Sequence, residues 1–239
     1  VSYIGRRQPI MNQPNSLNVK SILFAGLIVV VLMFLLSAYA WLQIPAGDKI
    51  PVHWGVDGQP DRYGSKMEGL LLTPSICIGL TVLFWGIPYI EPRKFHLESS
   101  LKAYKIIAYA ILAFMAAVHV ATVLSLLGKP IKINVVVPMG VGLLFILIGN
   151  YMGKIRSNFF CGIRTPWTLS SELSWNKTHR LGGKLFCLLG LCIFLSPFIG
   201  EGAVTVWIIL SGAVGMLVTL FLYSFWVWKN DPNKQTSGR

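Results

Sequence analysis

The sequence has few charged residues and long stretches with none. Asp, Glu, Lys and Arg make up 13% of the 239 residues, whereas hydrophobic residues make up 54%. An average soluble domain has about 25% charged residues. Several uncharged apolar runs have about 20 residues, the length that crosses a hydrocarbon core of ~30 Å. The composition therefore excludes an ordinary soluble globule and predicts a polytopic membrane protein built from helices.

The sequence also lacks the patterns of common enzyme and metal sites. Its four cysteines form no C-x-x-C pair and no Cys/His spacing suited to zinc, so we expect neither a disulfide framework nor a zinc site. It contains no H-E-x-x-H motif and no Gly-rich phosphate loop, and no nucleophile elbow surrounds Ser170 and Ser171. We therefore expect no catalysis, no cofactor and no bound metal.

Six apolar runs predict an all-α bundle of six transmembrane helices. The stretch from 185 to 228 holds the last two, because Pro197, Gly200, Glu201 and Gly202 divide it into spans of about 16 and about 26 residues. The first four spans are residues 21–41, 69–90, 106–127 and 134–153.

Two membrane modules follow from this arrangement. We expect residues 21–127 to form a three-helix module with a loop at 43–68. Residues 128–228 form a second three-helix module with a loop at 154–184. The remaining residues, 1–20 and 229–239, are tails.

The distribution of Lys and Arg predicts the orientation in the membrane. Sixteen of the 21 basic residues fall in the tails and loops of one side, and five fall on the other. The positive-inside rule places both tails and loop 154–184 in the cytoplasm and loop 43–68 outside. This rule also accounts for the net charge of +12, so we expect contact with membrane lipid and no direct contact with nucleic acid.

The span interiors contain no acidic residue, which argues against a proton- or cation-coupled carrier. His119 lies near a predicted midplane, where it either pairs with a neighbouring helix or faces a small wet cavity, and a proton role stays open. Gly149 and Gly153 have a spacing that allows close helix approach, either inside the bundle or against a partner.

The loop at 43–68 is rich in turn signals. We expect it to be compact and folded, with Gly55 and Gly64 available for positive φ. His53, Asp57 and Asp61 form either an oxygen-and-imidazole metal site or, in the interpretation that we prefer, side chains that satisfy their own turns and pack at the interface. The strongest turn signals are Asp57-Gly58 and Gln59-Pro60.

The loop at 154–184 predicts a short helix. Pro166 excludes Thr165 from the helical region, and Thr168 or Ser170 then caps a helix that carries Glu172 in its first turn. Two consecutive glycines, 182 and 183, end this helix.

We expect this short helix to lie along the membrane surface. Glu172, Asn176 and His179 recur at positions that share a polar face, and Trp167 and Trp175 are directed into the head groups. Arg164, together with Thr165 and Thr168, either binds a phosphate or belongs to a capped turn.

Two strings in these loops carry a family resemblance. The loop at 154–184, which we call the inner loop, contains the string Gly162-Ile163-Arg164-Thr165-Pro166-Trp167-Thr168-Leu169, followed by Trp175, Asn176, His179, Arg180 and Gly183. With these residues the chain resembles the SdpI family of bacterial membrane proteins. The loop at 43–68, which we call the outer loop, resembles the domain of unknown function that often precedes that family's motif. Its matching residues are Pro51, His53, Trp54, Gly58, Pro60 and Asp61.

The resemblance implies a location in the bacterial cytoplasmic membrane and immunity to a secreted peptide toxin. It also implies a signalling role, in which the protein holds a cytoplasmic repressor at the membrane. A transporter or membrane enzyme, suggested by His119 and the Glu172/His179 pair, is the alternative of another class. The implied binding residues of the inner motif are Gly162, Arg164, Thr165, Pro166, Trp167, Thr168, Glu172, Trp175, Asn176, His179 and Arg180.

Overall fold

The computed structural model describes residues 18–200 and 202–233, so most of both predicted tails lies outside it. The described chain contains eight helices and a two-stranded sheet. In chain order they are α1 (Lys20–Gln43), β1 (Ile50–Trp54), β2 (Pro60–Gly64), α2 (Lys66–Ile90), α3 (Lys94–Ser99), α4 (Leu101–Leu126), α5 (Ile133–Met152), α6 (Pro166–Ser170), α7 (Glu172–Ile199) and α8 (Gly202–Lys229).

Six of these helices are long and apolar enough to cross a membrane, which confirms the predicted all-α bundle of six spans. They are α1, α2, α4, α5, α7 and α8. The spans alternate in direction, so their connections gather at two ends of the bundle. We call the end with β1 and β2 the hairpin end, and the end with α3, residues 153–165 and α6 the motif end.

The helices α1, α2 and α4 pack together around three buried clusters that follow one another along the bundle. The cluster nearest the motif end includes Ile22, Ile87 and Tyr104, and the cluster nearest the hairpin end includes Ile50 and Leu70. Because a side chain from β1 belongs to the last cluster, the hairpin is anchored to these helices.

His119 pairs with α1 in the centre of this three-helix group. Its side chain is fully buried, and its Nε2 lies 3.1 Å from both the Met33 carbonyl oxygen and Ser37 Oγ. Ser37 Oγ in turn donates to the Leu70 carbonyl at 2.6 Å. Since that donation uses the hydroxyl proton, His119 Nε2–H is the donor to Ser37. The helix-pairing alternative for His119 is therefore the one that the structure shows.

The helices α5, α7 and α8 form the second group, and glycines set the distance between α5 and α7. A Cβ at Gly149 would lie 2.6 Å from the Gly183 carbonyl oxygen, and one at Gly183 would lie 2.6 Å from the Gly149 carbonyl oxygen. Gly142 and Gly190 repeat this reciprocal contact two turns away. Gly149 therefore serves packing inside the bundle, not a surface for a partner.

The predicted compact loop at 43–68 is an antiparallel hairpin, in which Ile50 pairs with Gly64 and Trp54 with Pro60. Gly58 has φ +78°, as its turn requires. Positive φ was wrongly expected for Gly55 and Gly64. A Cβ at Gly64 would contact the Glu68 carboxylate and one at Gly55 would lie 2.8 Å from Asp57 Oδ1, and both contacts are with terminal atoms of flexible side chains.

The predicted short surface helix is also wrong, since α7 runs without interruption from Glu172 through both glycines to Ile199. A double glycine stops a helix when nothing replaces the lost backbone stability. Here Gly183 meets α5, and Gly182 accommodates the Ile163 side chain, so close packing keeps both residues helical. The fifth span consequently has 28 residues and not about 16.

Candidate functional site at the motif end

A reciprocal pair of threonines starts α6. Thr165 is extended, with φ −114° and ψ 162°, which confirms the effect expected from Pro166. Its Oγ1 accepts from Thr168 N–H at 3.1 Å, and Thr168 Oγ1 accepts from Thr165 N–H at 2.9 Å. Both threonines are buried, so of the two interpretations of these hydroxyls the capped turn holds and the phosphate site does not.

Ser171, and neither Thr168 nor Ser170, caps the long helix. Its Oγ accepts from Ser174 N–H at 2.9 Å and donates to an Asp231 carboxylate oxygen at 2.5 Å. Asp231 follows the last residues of α8 and is itself buried. The start of α7 and the end of α8 are therefore tied together by one hydroxyl group.

Trp175 and His179 form the buried centre of the motif end. Trp175 is 1% exposed and donates from Nε1 to the Ile155 carbonyl at 2.8 Å, so the expectation that it enters the head groups is wrong. The His179 ring stacks on it with the centroids 4.0 Å apart. His179 Nδ1–H donates to the Trp175 carbonyl at 2.8 Å, which leaves Nε2 to accept from Ile163 N–H at 2.9 Å.

Gly162 allows this contact. It has φ +112°, and a Cβ at this position would collide with His179 Nε2. Any other residue would be strained there and would push the imidazole away from the Ile163 amide. Gly162 and His179 are therefore one structural unit, although 17 positions separate them in the chain.

The other motif residues of α6 and α7 lie in unlike surroundings. Trp167 is half-buried and makes edge contacts with Phe221 and Phe225 of α8, with centroids 4.7 and 5.1 Å away, so it packs on the bundle instead of entering the head groups. Glu172 and Arg180 are exposed and Asn176 is partly exposed. The common polar face predicted for Glu172, Asn176 and His179 is wrong, because α7 turns His179 inward.

Arg164 is exposed and shapes the loop that precedes α6. Its Nη1 donates to the Phe159 carbonyl at 2.5 Å. Phe159 and Phe160 are 41% and 36% exposed beside it. Burial raises the pKa of the neighbouring Cys161 thiol to about 11, and the Glu91 carboxylate adds to the increase whereas Arg164 opposes it. The loop thus presents one cation and two aromatic rings above a thiol that stays protonated at neutral pH.

Glu91 organises this loop and was missed at the sequence level. It is 1% exposed, and its two carboxylate oxygens accept from Arg93 N–H at 2.9 Å and from Phe159 N–H at 3.1 Å. Asn158 assists by accepting from Cys161 N–H at 2.6 Å. The feature of the sequence that could have identified Glu91 is its position, since it is a single acidic residue that ends an apolar span just before two basic residues.

The outer-loop residues lie at the opposite end of the bundle. His53 Nδ1 and Asp61 Oδ1 are 2.6 Å apart and both side chains are more than half exposed, whereas Asp57 Oδ1 accepts from Gln59 N–H in its own turn, as preferred. Within residues 18–200 and 202–233, no group of three or more His, Cys, Asp and Glu side chains is placed to hold a metal ion. Pro51, Trp54 and Pro60 belong to the paired strands.

The hairpin tip is docked against the start of two membrane helices. Asn134 of α5 donates to the Asp57 carbonyl at 3.4 Å, and Gly58 fits against the same asparagine. Gly202, the first residue of α8, meets the Val56 carbonyl so closely that a Cβ would overlap it. A cavity of about 330 Å³ between the hairpin and these helices is lined by residues that include His53 and Trp54.

Comparison with known families identifies both segments. Residues 154–224 match the SdpI/YfhL protein family, and residues 28–78 match a domain of unknown function, DUF1648. The first match contains every residue of the inner motif, and the second contains the whole hairpin. The chain is thus similar to the SdpI/YfhL family over residues 154–224.

Two curated proteins are also similar to the chain. The chain is 28% identical over 203 residues to the "Immunity protein SdpI" of Bacillus subtilis (strain 168), an alignment that covers 84% of this chain and 94% of that protein. It is 37% identical over 57 residues to an "Uncharacterized protein" of Archaeoglobus fulgidus, covering 24% of this chain and 30% of that protein. No solved structure matches the chain. With six apolar helices among its described residues, the protein is a multi-pass protein of the cytoplasmic membrane.

Proposed function

We propose that this protein protects its cell from a secreted peptide toxin that acts at the membrane. The observation that carries the proposal is the similarity to an immunity protein over nearly that protein's whole length. The match includes the hairpin and the inner motif, whose residues fix the structure of the two ends of the bundle. In this proposal the hairpin end and the adjoining helices meet the toxin outside, and the motif end completes protection inside.

Arg164 is the motif residue best suited to a test. It is exposed, so its replacement spares the core, and its guanidinium fixes the loop carbonyl of Phe159. We expect Arg164→Ala to lower survival of toxin-sensitive bacteria that express the protein by about tenfold or more.

The measurement is survival under toxin for the wild type, Arg164→Ala and Arg156→Ala, with membrane levels checked by immunoblot. Arg156 is a matched control because it is an exposed arginine of the same loop that lies outside the motif string. Equal killing of cells with and without the wild-type protein would refute the proposal. Equal protection by both variants would remove the motif from the mechanism.

A signalling receptor that holds a cytoplasmic repressor at the membrane is the second candidate. The observation that favours it is the exposed pair Phe159 and Phe160 beside the Arg164 cation, since aromatic residues and arginine are enriched where proteins bind each other. Trp167 follows this loop in α6 and packs on Phe221 and Phe225 of α8. We expect Arg164→Ala and Trp167→Ala to abolish membrane recruitment of a cytosolic DNA-binding protein while the variants still reach the membrane.

Recruitment is measured by fractionating cells and quantifying the repressor in membranes with and without toxin. A repressor that stays at the membrane with both variants would contradict the receptor proposal. We do not propose a transporter or membrane enzyme, because the structure separates exposed Glu172 from buried His179 and bonds His119 to α1.

A further inference from the structure

An apolar groove runs along the outside of the bundle between α7 and α8. Its volume is about 500 Å³, and the described residues that line it are all uncharged. Leu188, Leu191 and Leu195 of α7 form one wall and are 60%, 47% and 41% exposed. Gly215 of α8 leaves the other wall open, since a Cβ there would meet no described atom within 4 Å. Neither the inner motif nor the hairpin contributes a residue to this groove.

Three cations lie on one exposed face of α7 next to the groove. They are Lys177, Arg180 and Lys184, whose spacing of three and four residues places them along the same side of a helix. Leu188 continues this face one turn after Lys184 and lines the groove. The ion pairs found among the described residues involve none of the three cations. Their charges are therefore available to an anion from outside the protein.

Lys184 lies deeper than the level at which the hydrocarbon begins. The helix α5 has 20 residues, a length of about 30 Å at 1.5 Å per residue, which equals the thickness of a hydrocarbon core. A Cβ at Gly153, just after α5, would lie 3.5 Å from Arg180 Cγ, so Arg180 is level with this end of α5. Lys184 follows one turn later on α7 and lies about 6 Å deeper. An ammonium group at that depth either extends towards the head groups or needs an anion beside it.

The groove begins where the cations end. Its lining on α7 runs from Leu185, the residue after Lys184, to Ile199, a distance of about 21 Å at 1.5 Å per residue. One leaflet supplies half of the ~30 Å hydrocarbon core, or about 15 Å, so the groove is long enough for a whole acyl chain. Cations followed by an apolar groove match the order of phosphate and acyl chain in a phospholipid.

We propose that this groove binds one acyl chain of an anionic phospholipid from the leaflet at the motif end, with the lipid phosphate at Arg180 and Lys184. Lys177 lies further out, where it attracts the same anion. A head group with its own ammonium is disfavoured, because that cation would lie among three others. The positive-inside rule accounts for basic residues at this end but not for their alignment with an apolar groove. This proposal does not depend on the immunity function.

The test uses the full-length protein purified in detergent and native mass spectrometry to count bound lipids. We expect phosphatidylglycerol to be retained about tenfold more strongly than phosphatidylethanolamine or phosphatidylcholine with the same acyl chains. Lys184→Gln should remove this preference, and the fold should persist because the side chain is exposed. Lys102→Gln, an equal loss of charge at an exposed position of α4 at the motif end, should keep the preference.

A pair of glycine variants tests the groove itself. Gly215→Leu fills the groove, and it should not disturb the packing of α7 on α8, since a Cβ there meets no described atom within 4 Å. We expect this variant to retain phosphatidylglycerol about tenfold more weakly than the wild type. Gly79→Leu is the matched control, because Gly79 is an exposed glycine of α2 with equally open surroundings outside the groove.

Equal retention of the three lipids would overturn the proposal, as would an undiminished preference in Lys184→Gln. Unchanged retention in Gly215→Leu would also overturn it, because the phosphate would then bind without an acyl chain in the groove. Soluble glycerol phosphate distinguishes a lipid from a free phosphate ester. We expect it to compete only at concentrations well above those of the lipid, because it lacks the acyl chains, and competition at equal concentration would refute a membrane-lipid site.

Discussion

At the scale of single residues, the polar side chains of the motif end are joined to backbone groups of a loop that has no regular structure of its own. Glu91, Asn158 and His179 accept from main-chain amides of residues 159–163, and Trp175 donates to the Ile155 carbonyl. A buried amide without a partner is costly. These side chains therefore fix the loop on which Arg164 is presented.

Replacement of His179 tests this account. In His179→Ala the partly buried Ile163 amide loses its acceptor, and we expect the free energy of unfolding to fall by about 1–3 kcal/mol. Thermal unfolding of the purified protein measures the change. His53→Ala is the control, since that imidazole is mostly exposed and its loss should cost no more than about 0.5 kcal/mol. Equal unfolding temperatures for the two variants would contradict the role assigned to His179.

At the scale of the helices, the pair α5 and α7 depends on backbone contact through glycine. In a membrane the lipid chains are as apolar as the side chains, so helices associate through close packing more than through the hydrophobic effect. The reciprocal contacts of Gly149 with Gly183 and of Gly142 with Gly190 supply that packing. They also explain why α7 continues through two glycines that would end an isolated helix.

The two glycines that the sequence singled out provide a matched pair of variants. Gly149→Ala places a methyl group 2.6 Å from the Gly183 carbonyl oxygen, and we expect it to destabilise the protein by about 1–3 kcal/mol. Gly153→Ala meets nothing nearer than 3.5 Å, at Arg180 Cγ, and should be tolerated. Thermal unfolding compares the two, and an equal effect of both substitutions would show that backbone contact does not hold α5 to α7.

At the scale of the whole molecule, the two family segments place their polar residues at opposite ends of the spans. The hairpin end carries His53 and Asp61, and the motif end carries Arg164 and the buried centre around His179. If the positive-inside rule holds for this chain, the hairpin faces outward and the motif faces the cytoplasm. A toxin and a cytosolic partner would then meet different ends of one bundle.

Labelling of single cysteines tests this orientation. In a background with the four native cysteines replaced, Lys129→Cys lies exposed at the hairpin end and Lys177→Cys lies exposed at the motif end. We expect a membrane-impermeant maleimide to label Lys129→Cys in intact cells and Lys177→Cys only after the cells are permeabilised. The reverse pattern would invert the orientation and place the motif outside.

The sequence by itself determined the membrane location, the six spans and the extended conformation of Thr165. Long uncharged runs have one stable solution in a bilayer, and Pro166 excludes Thr165 from a helix in any fold. The family motifs were likewise readable, because their residues are consecutive or nearly so. The predicted module boundary at residues 127 and 128 and the binding roles of the motif residues stay predictions.

Only the tertiary structure decided which motif residues are buried and where α7 begins and ends. Local sequence rules predict that Gly182 and Gly183 end the helix and that His179 lies on a polar face. These rules do not consider contacts with a neighbouring helix. The approach of α5 and the inward turn of residues 155–163 reverse both predictions. Glu91 was missed for the same reason, since one of the two amides from which it accepts, that of Phe159, lies 68 positions away in the chain and reaches it only in the folded bundle.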